Sequence, residues 1–259
     1  MQNLRSLYHH RDLLWLWTMR EVRVRYKQSF LGGAWAILQP LSLMVIFSVV
    51  FGYFVKVPTD GIPYPVFSYS ALLPWTLFAT SITFAVPSLV NNMTLVTKVY
   101  FPREILPFAA VGAAFIDYLV AAVLFIALML LYSVPVRLTA LFLPLLLLIQ
   151  IILTLGISLM ASALTVLMRD VRYIVPLALQ LLMYLSPVVY PLSVVPDNLR
   201  VLYLLNPMAG LIENYRRITI YGLMPDWPTL LPSACIGVII LVAGYAYFKR
   251  AEGTFADII

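Results

Sequence analysis

Arg20-Glu21-Val22-Arg23-Val24-Arg25-Tyr26-Lys27 stands directly before a run that carries no charge until Lys56. A helix needs about 20 apolar residues to cross ~30 Å of hydrocarbon, and the uncharged run supplies them. Basic residues collect on the cytoplasmic flank of such helices. The junction therefore reads as a membrane surface meeting the start of a spanning helix. It also places the N-terminal segment in the cytoplasm.

Composition agrees. Apolar residues make up 63% of the 259 and charged residues 11%, against roughly half and a quarter in soluble domains. The lone Cys235 excludes an intramolecular disulfide and any cysteine cluster. His9 and His10 are adjacent and are the only histidines, so no metal site is expected. The net charge of +6 points to anionic membrane lipid at the inner face, and no nucleic-acid partner is expected. No Ala-x-Ala-like site follows the first apolar run, so no cleaved signal peptide is expected.

Six stretches are long and apolar enough to span: 33–55, 66–90, 105–132, 138–167, 173–189 and 230–248. Their apolar runs do not alternate with polar residues as barrel strands do. The predicted fold is an all-α integral membrane protein with six transmembrane helices. Counting Lys and Arg by connection gives twelve on the side of the termini and five opposite, which places both ends in the cytoplasm. The whole chain, 1–259, reads as one transmembrane domain. Residues 1–30 form a cytoplasmic and interfacial segment, 31–189 the first five spans, 190–229 an extracytoplasmic re-entrant region, and 230–259 the last span and tail.

Within the first part, Asp12–Lys27 is amphipathic, with Leu13, Leu14, Leu16 and Trp17 opposed by Arg20, Arg23 and Lys27. The expectation is an interfacial helix lying in the membrane plane; the alternative is a plain positive-inside anchor. Between the second and third spans, Lys98-Val99-Tyr100-Phe101-Pro102-Arg103-Glu104 sets two aromatics and a proline among charges. Exposed aromatics beside arginine are favoured interface anchors, so this element is a candidate knob for a protein partner; the alternative is a solvated turn. After the fifth span, Ser186-Pro187-Val188-Val189-Tyr190-Pro191 breaks the helix, and short apolar pieces follow around Asn206-Pro207. Pieces of that length suit re-entrant helices, with an extracellular cap as the alternative.

Polar residues inside the spans are few. Asp117 is the one acid there, and such a residue calls for a partner or a path. Gln150 and Gln180 read as interhelical hydrogen-bonding groups. Tyr184, Tyr190, Tyr203, Tyr215 and Tyr221 crowd the last third, as an interfacial belt or as a lining on which sugar rings stack. There is no phosphate-binding loop of the Gly-x-x-x-x-Gly-Lys-Ser/Thr type and no nucleophile elbow. Energy for active transport would come from another chain.

The residues from Arg23 through Gln39-Pro40, the Lys98–Glu104 segment, Asn206-Pro207-Met208 and the tail Phe248-Lys249-Arg250-Ala251-Glu252 together resemble the membrane subunits of ABC-2-type exporters. The nearest branch exports polysaccharide: O-antigen, capsule or teichoic acid. The resemblance implies a homodimer of permeases with a cytoplasmic ATPase under each copy, and with ATP and magnesium on that partner alone. It makes Asp12–Lys27 a gate helix, with Trp17, Arg20, Arg23, Arg25 and Lys27 near the lipid head. It makes Asn91–Glu104 the coupling helix and 190–229 the periplasmic gate helices. The cargo implied is a lipid-linked glycan leaving a bacterial cytoplasm through the inner or plasma membrane. Export of a small drug or lipid, a gradient-driven flippase, and a membrane scaffold of a glycan-synthesis complex are the competing readings.

Overall fold

The computed structural model describes residues 10–27, 29–99, 101–253 and 255, and all regular structure among them is helical. The α-helices in chain order are α1 (Arg11–Tyr26), α2 (Trp35–Phe47), α3 (Tyr64–Ala85), α4 (Ser88–Asn91), α5 (Met93–Lys98) and α6 (Ile105–Leu131). They continue with α7 (Leu143–Leu167), α8 (Val171–Tyr184), α9 (Asp197–Tyr203), α10 (Pro207–Arg216) and α11 (Trp227–Glu252). A 3-10 turn leads into α2 and a π segment, Ser48–Phe54, extends it; a second π segment, Arg217–Tyr221, closes α10.

Local chemistry sets the starts. Pro65, Pro144, Pro207 and Pro228 sit in the first turns of α3, α7, α10 and α11, where a missing N–H has no helical partner to lose. Asn206 caps α10 by accepting from the Met208 amide at 3.1 Å. Gly222, at φ 67°, stops the second π segment; a Cβ there would collide with the Arg137 side chain.

Four helical stretches are long and apolar enough to cross a membrane: Gly32–Phe54, Ile105–Leu131, Leu138–Leu167 and Trp227–Glu252. They fall within four residues of the first, third, fourth and sixth expected spans. The second expected span, 66–90, divides into α3 and the short α4. Of the fifth, 173–189, only 173–184 are helical, within α8, whose 14 residues give about 21 Å of rise.

α3 occupies the centre, packed by α2, α6, α7, α8 and α10. Its Val66, Phe67, Tyr69, Leu72, Phe78 and Ile82 are buried. α7 and α11 form the closest pair. A Cβ on Gly244 would overlap the Gly156 carbonyl, and one on Gly156 would stand 2.6 Å from Leu241 Cα. Backbone approach of that kind is how helices associate where lipid removes the hydrophobic drive. Outward faces stay apolar, as at Val123, Ile126 and Leu130 on α6 and Val238, Ile239 and Val242 on α11.

α1 lies against α6, with Thr18 buried at Gly112. The stripe it turns inward is Leu14, Thr18, Glu21 and Arg25, while Trp15, Leu16 and Val24 are exposed. Leu13, Trp17 and Val22 are half-buried as well, so the packed side of α1 carries both apolar residues and the Arg25 ion pair.

Candidate functional site

The turn around Asn92 and helix α5 connect α4 to α6. Lys98 and Val99 are exposed there, and Phe101 packs half-buried on a second apolar cluster formed by Leu89, Val96, Leu106, Phe248 and Phe255. Tyr100 lies outside the described residues. Pro102 is half-buried. Arg103 donates to the Glu252 carbonyl and lies over the Phe255 ring. Glu104 is 1% exposed and accepts from Lys249 at 2.8 Å; Lys249 also reaches Glu252 at 2.9 Å. The six residues picked from sequence thus separate. The Lys98 side chain is exposed and has no hydrogen bond or salt bridge among the described residues, while Arg103 and Glu104 bolt the base of the element to the end of α11.

α1 joins the same element. The Arg20 guanidinium covers the Trp17 ring at 4.3 Å and donates to Asn92 Oδ1 at 3.1 Å. Arg23 and Lys27 are exposed, and Arg20 remains nearly half exposed. Arg25 differs. It pairs with Asp117 at 2.8 Å, donates to the Ala110 carbonyl at 3.1 Å and lies 3.8 Å above the Phe84 ring. The Tyr26 hydroxyl donates to the other Asp117 oxygen at 2.7 Å. Burial pushes the Arg25 guanidinium down from its ordinary value, and Asp117 opposes that shift. Burial and the same carboxylate push the Tyr26 phenol well up. Asp117 therefore has the ion-pair partner that its position demanded. A cleft of about 190 Å³ opens beside this pair, between α1, α2, α3 and α6.

The opposite end is organised by three consecutive buried residues of α10. Asn214 donates to Thr229 Oγ1 at 3.0 Å and accepts from the Asp226 amide at 2.7 Å, fixing the start of α11. Tyr215 donates to Gln150 Oε1 at 2.9 Å, and the Gln150 amide donates to the Pro74 carbonyl at 2.7 Å, which ties α10, α7 and α3. Arg216, fully buried, donates to the carbonyls of Val188 at 2.7 Å and Tyr190 at 3.0 Å and stacks on Phe67.

These contacts answer a question posed by the break after α8. Non-helical backbone at membrane depth persists only where protein or water satisfies it. Here Arg216 serves two carbonyls, the Tyr64 hydroxyl serves Val189 at 2.8 Å, and Asn206 serves Leu185 at 3.2 Å. Tyr190 donates to the Tyr184 carbonyl at 2.9 Å and its hydroxyl lies 3.1 Å from that of Tyr203. Tyr184 and Gln180 are exposed on α8. Sequence reading placed Gln150 as an interhelical group and missed Tyr215 and Arg216 as organisers. The signal was present: Met208, Leu211, Ile212 and Tyr215 recur at helical spacing, and Arg216 follows Ile212 by one turn.

Comparison with known proteins gives the family. Residues 12–220 match the family model described as ABC-2 type transporter. An O-antigen export system permease protein from Myxococcus xanthus is 32% identical over 257 residues, covering 98% of both chains. One from Klebsiella pneumoniae is 29% identical, covering 96% of this chain and 95% of its own. A polysialic acid transport protein from Escherichia coli is 26% identical, covering 90% and 91%. With a family match over most of its length and relatives aligned end to end, this chain belongs to the ABC-2 type transporter membrane family.

Proposed function

We infer that this chain is the membrane permease subunit of an ATP-driven exporter of polysaccharide, moving a lipid-linked glycan out of the cytoplasm. The observation that carries the reading is the end-to-end similarity to O-antigen export permeases, 32% identical over 257 residues in one relative. The chain does no chemistry itself; ATP and magnesium belong to a cytoplasmic ATPase subunit. In this reading α2, α3, α6, α7, α8 and α11 make six passes, both termini are cytoplasmic, and α10 with its π segment is re-entrant from outside. α5 and the exposed Lys98 and Val99 enter the ATPase. Arg103 and Glu104 carry its movement to α11, and Arg20 carries it to α1 through Asn92, a rigid-body transfer. The exposed cations Arg20, Arg23 and Lys27 meet the anionic lipid head; Arg25 does not, because Asp117 holds it.

Two copies pair through α8 in this reading. Its support is a helix that leaves Tyr173, Ile174, Leu177, Leu181 and polar Gln180 uncovered. Polar side chains at membrane depth generally face protein or a cavity rather than lipid.

The test is purification from membranes together with a candidate ATP-binding-cassette subunit. The expected result is a stable complex of both subunits whose ATP hydrolysis responds to the glycan lipid. Val99→Asp should cut that response about 30-fold, the effect of removing an interface residue worth ~2 kcal/mol. Recovery of the chain alone, or full coupling in Val99→Asp, would overturn the corresponding assignment.

A further inference from the structure

The cleft beside Arg25 and Asp117 is not a phosphate site by its chemistry. Its one cation is already engaged by a carboxylate at 2.8 Å, a carbonyl at 3.1 Å and the Phe84 ring. A phosphate entering would meet the Asp117 carboxylate as a like charge and could recruit Arg25 only by breaking that pair. What the cleft offers instead is neutral hydrogen-bonding capacity. The Gln39 amide and the Thr80 hydroxyl line it, and neither has a hydrogen-bond partner among the described residues. Each can both donate and accept. Asp117 is still 18% exposed and can accept more. The remaining wall mixes the Tyr26 and Tyr118 rings and Thr76 with apolar Leu77 and the Trp35 ring; the indole N–H donates to Ser29 Oγ at 3.0 Å, which fixes the plane of that ring.

Aromatic rings beside neutral groups that donate and accept match one ligand class. A sugar ring presents C–H faces that pack on aromatic surface and hydroxyls that donate and accept in turn. The size fits too: drug-sized ligands occupy about 300–1,000 Å³, and a cleft of about 190 Å³ admits a single ring. We propose that this cleft binds one neutral, polyhydroxylated ring, the sugar nearest the lipid, while the phosphate-bearing head stays outside on Arg20, Arg23 and Lys27. The site then reads cargo by its first sugar, at the point where α1 meets α6. This rests on the polysaccharide-export reading.

The experiment uses the complex with its ATPase in nanodiscs and two probes: a polyprenyl diphosphate carrying one neutral hexose, and the bare polyprenyl diphosphate. Half-saturation of ATPase stimulation is measured for the wild type, Gln39→Leu, Thr80→Val and Trp35→Leu. Loss of a hydrogen bond or two should raise the half-saturating concentration of the sugar-bearing probe about tenfold and leave that of the bare lipid unmoved. An equal shift for both probes would show that the cleft holds phosphate or affects coupling generally, and a shift for neither would show that it holds nothing; each overturns the proposal. Failure of the wild type to respond to either probe would instead sink the export reading, and the sugar site with it. Thr80→Ser, which keeps the hydroxyl, should retain the wild-type response, separating recognition from misfolding.

Discussion

Arg25 and Arg216 are cations held where water scarcely reaches, and they behave differently. Arg25 has a carboxylate, so its burial is a pairing that lashes α1 to α6. Arg216 is met by two carbonyl dipoles and a ring face, so its role is to close the hydrogen-bond account of an unwound segment. The forked guanidinium matters there, since one ammonium cannot aim at both acceptors in the same way. Arg216→Lys should therefore leave a buried carbonyl unpaired and cost about 1–3 kcal/mol. In detergent that would lower the melting temperature by about 5 °C at ~2–4 °C per kcal/mol for a chain of this size; an unchanged melting temperature would mean the clamp is not structural. Much of this scale could be read in the sequence for Asp117 and Gln150, because polar residues inside apolar runs announce a need for partners. Which partners they take could not be read. Arg25 and Asp117 are 92 positions apart, and Lys249 and Glu104 are 145 apart, and only the packed helices bring them together.

Helix boundaries came out of the sequence best where lipid alone is the solvent. α6, α7 and α11 carry long apolar runs, and their ends follow the hydropathy. α3 is harder, because Tyr64, Ser68, Tyr69, Ser70, Thr76, Thr80 and Ser81 dilute its apolar character, and protein rather than lipid surrounds it. α8 falls short of its expected length because Pro187 and Pro191 cannot donate to a continuing helix, and Arg216 and Tyr64 make the unwound alternative satisfied. On α1, Leu13, Leu14 and Trp17 are half-buried and Arg20, Arg23 and Lys27 exposed, while the buried Arg25–Asp117 pair could not be read from the stripe. The α7–α11 contact gives this scale its sharpest prediction. Gly244→Leu would drive a side chain into the Gly156 carbonyl, and overpacking of this kind costs about 1–3 kcal/mol or more. Lower yield of folded protein from membranes and a reduced melting temperature are expected, while Ile239→Leu on the outer face of the same helix should change neither. Wild-type stability in Gly244→Leu would mean that the two helices are free to part.

At the scale of the molecule, the excess of Lys and Arg keeps its sign when the two buried arginines are set aside, so the predicted orientation does not hang on them. Pairing of two copies is tested with cysteines on α8. In a Cys235→Ser background, Leu177→Cys or Leu181→Cys should cross-link under mild oxidation to a band of twice 29.2 kDa, and Ile239→Cys should not. Cross-linking only at position 239 would place the dimer face on α11 instead. The central position of α3 has a consequence for how the chain is made. Its two buried phenols donate to the carbonyls of Ala121 and Val189, 52 and 125 positions further along. Ribosomes add about 5–20 residues per second, so the second acceptor emerges roughly 6–25 s after its donor. During that interval the Tyr64 hydroxyl of α3 waits for its acceptor, which exists only once the chain has been made as far as Val189.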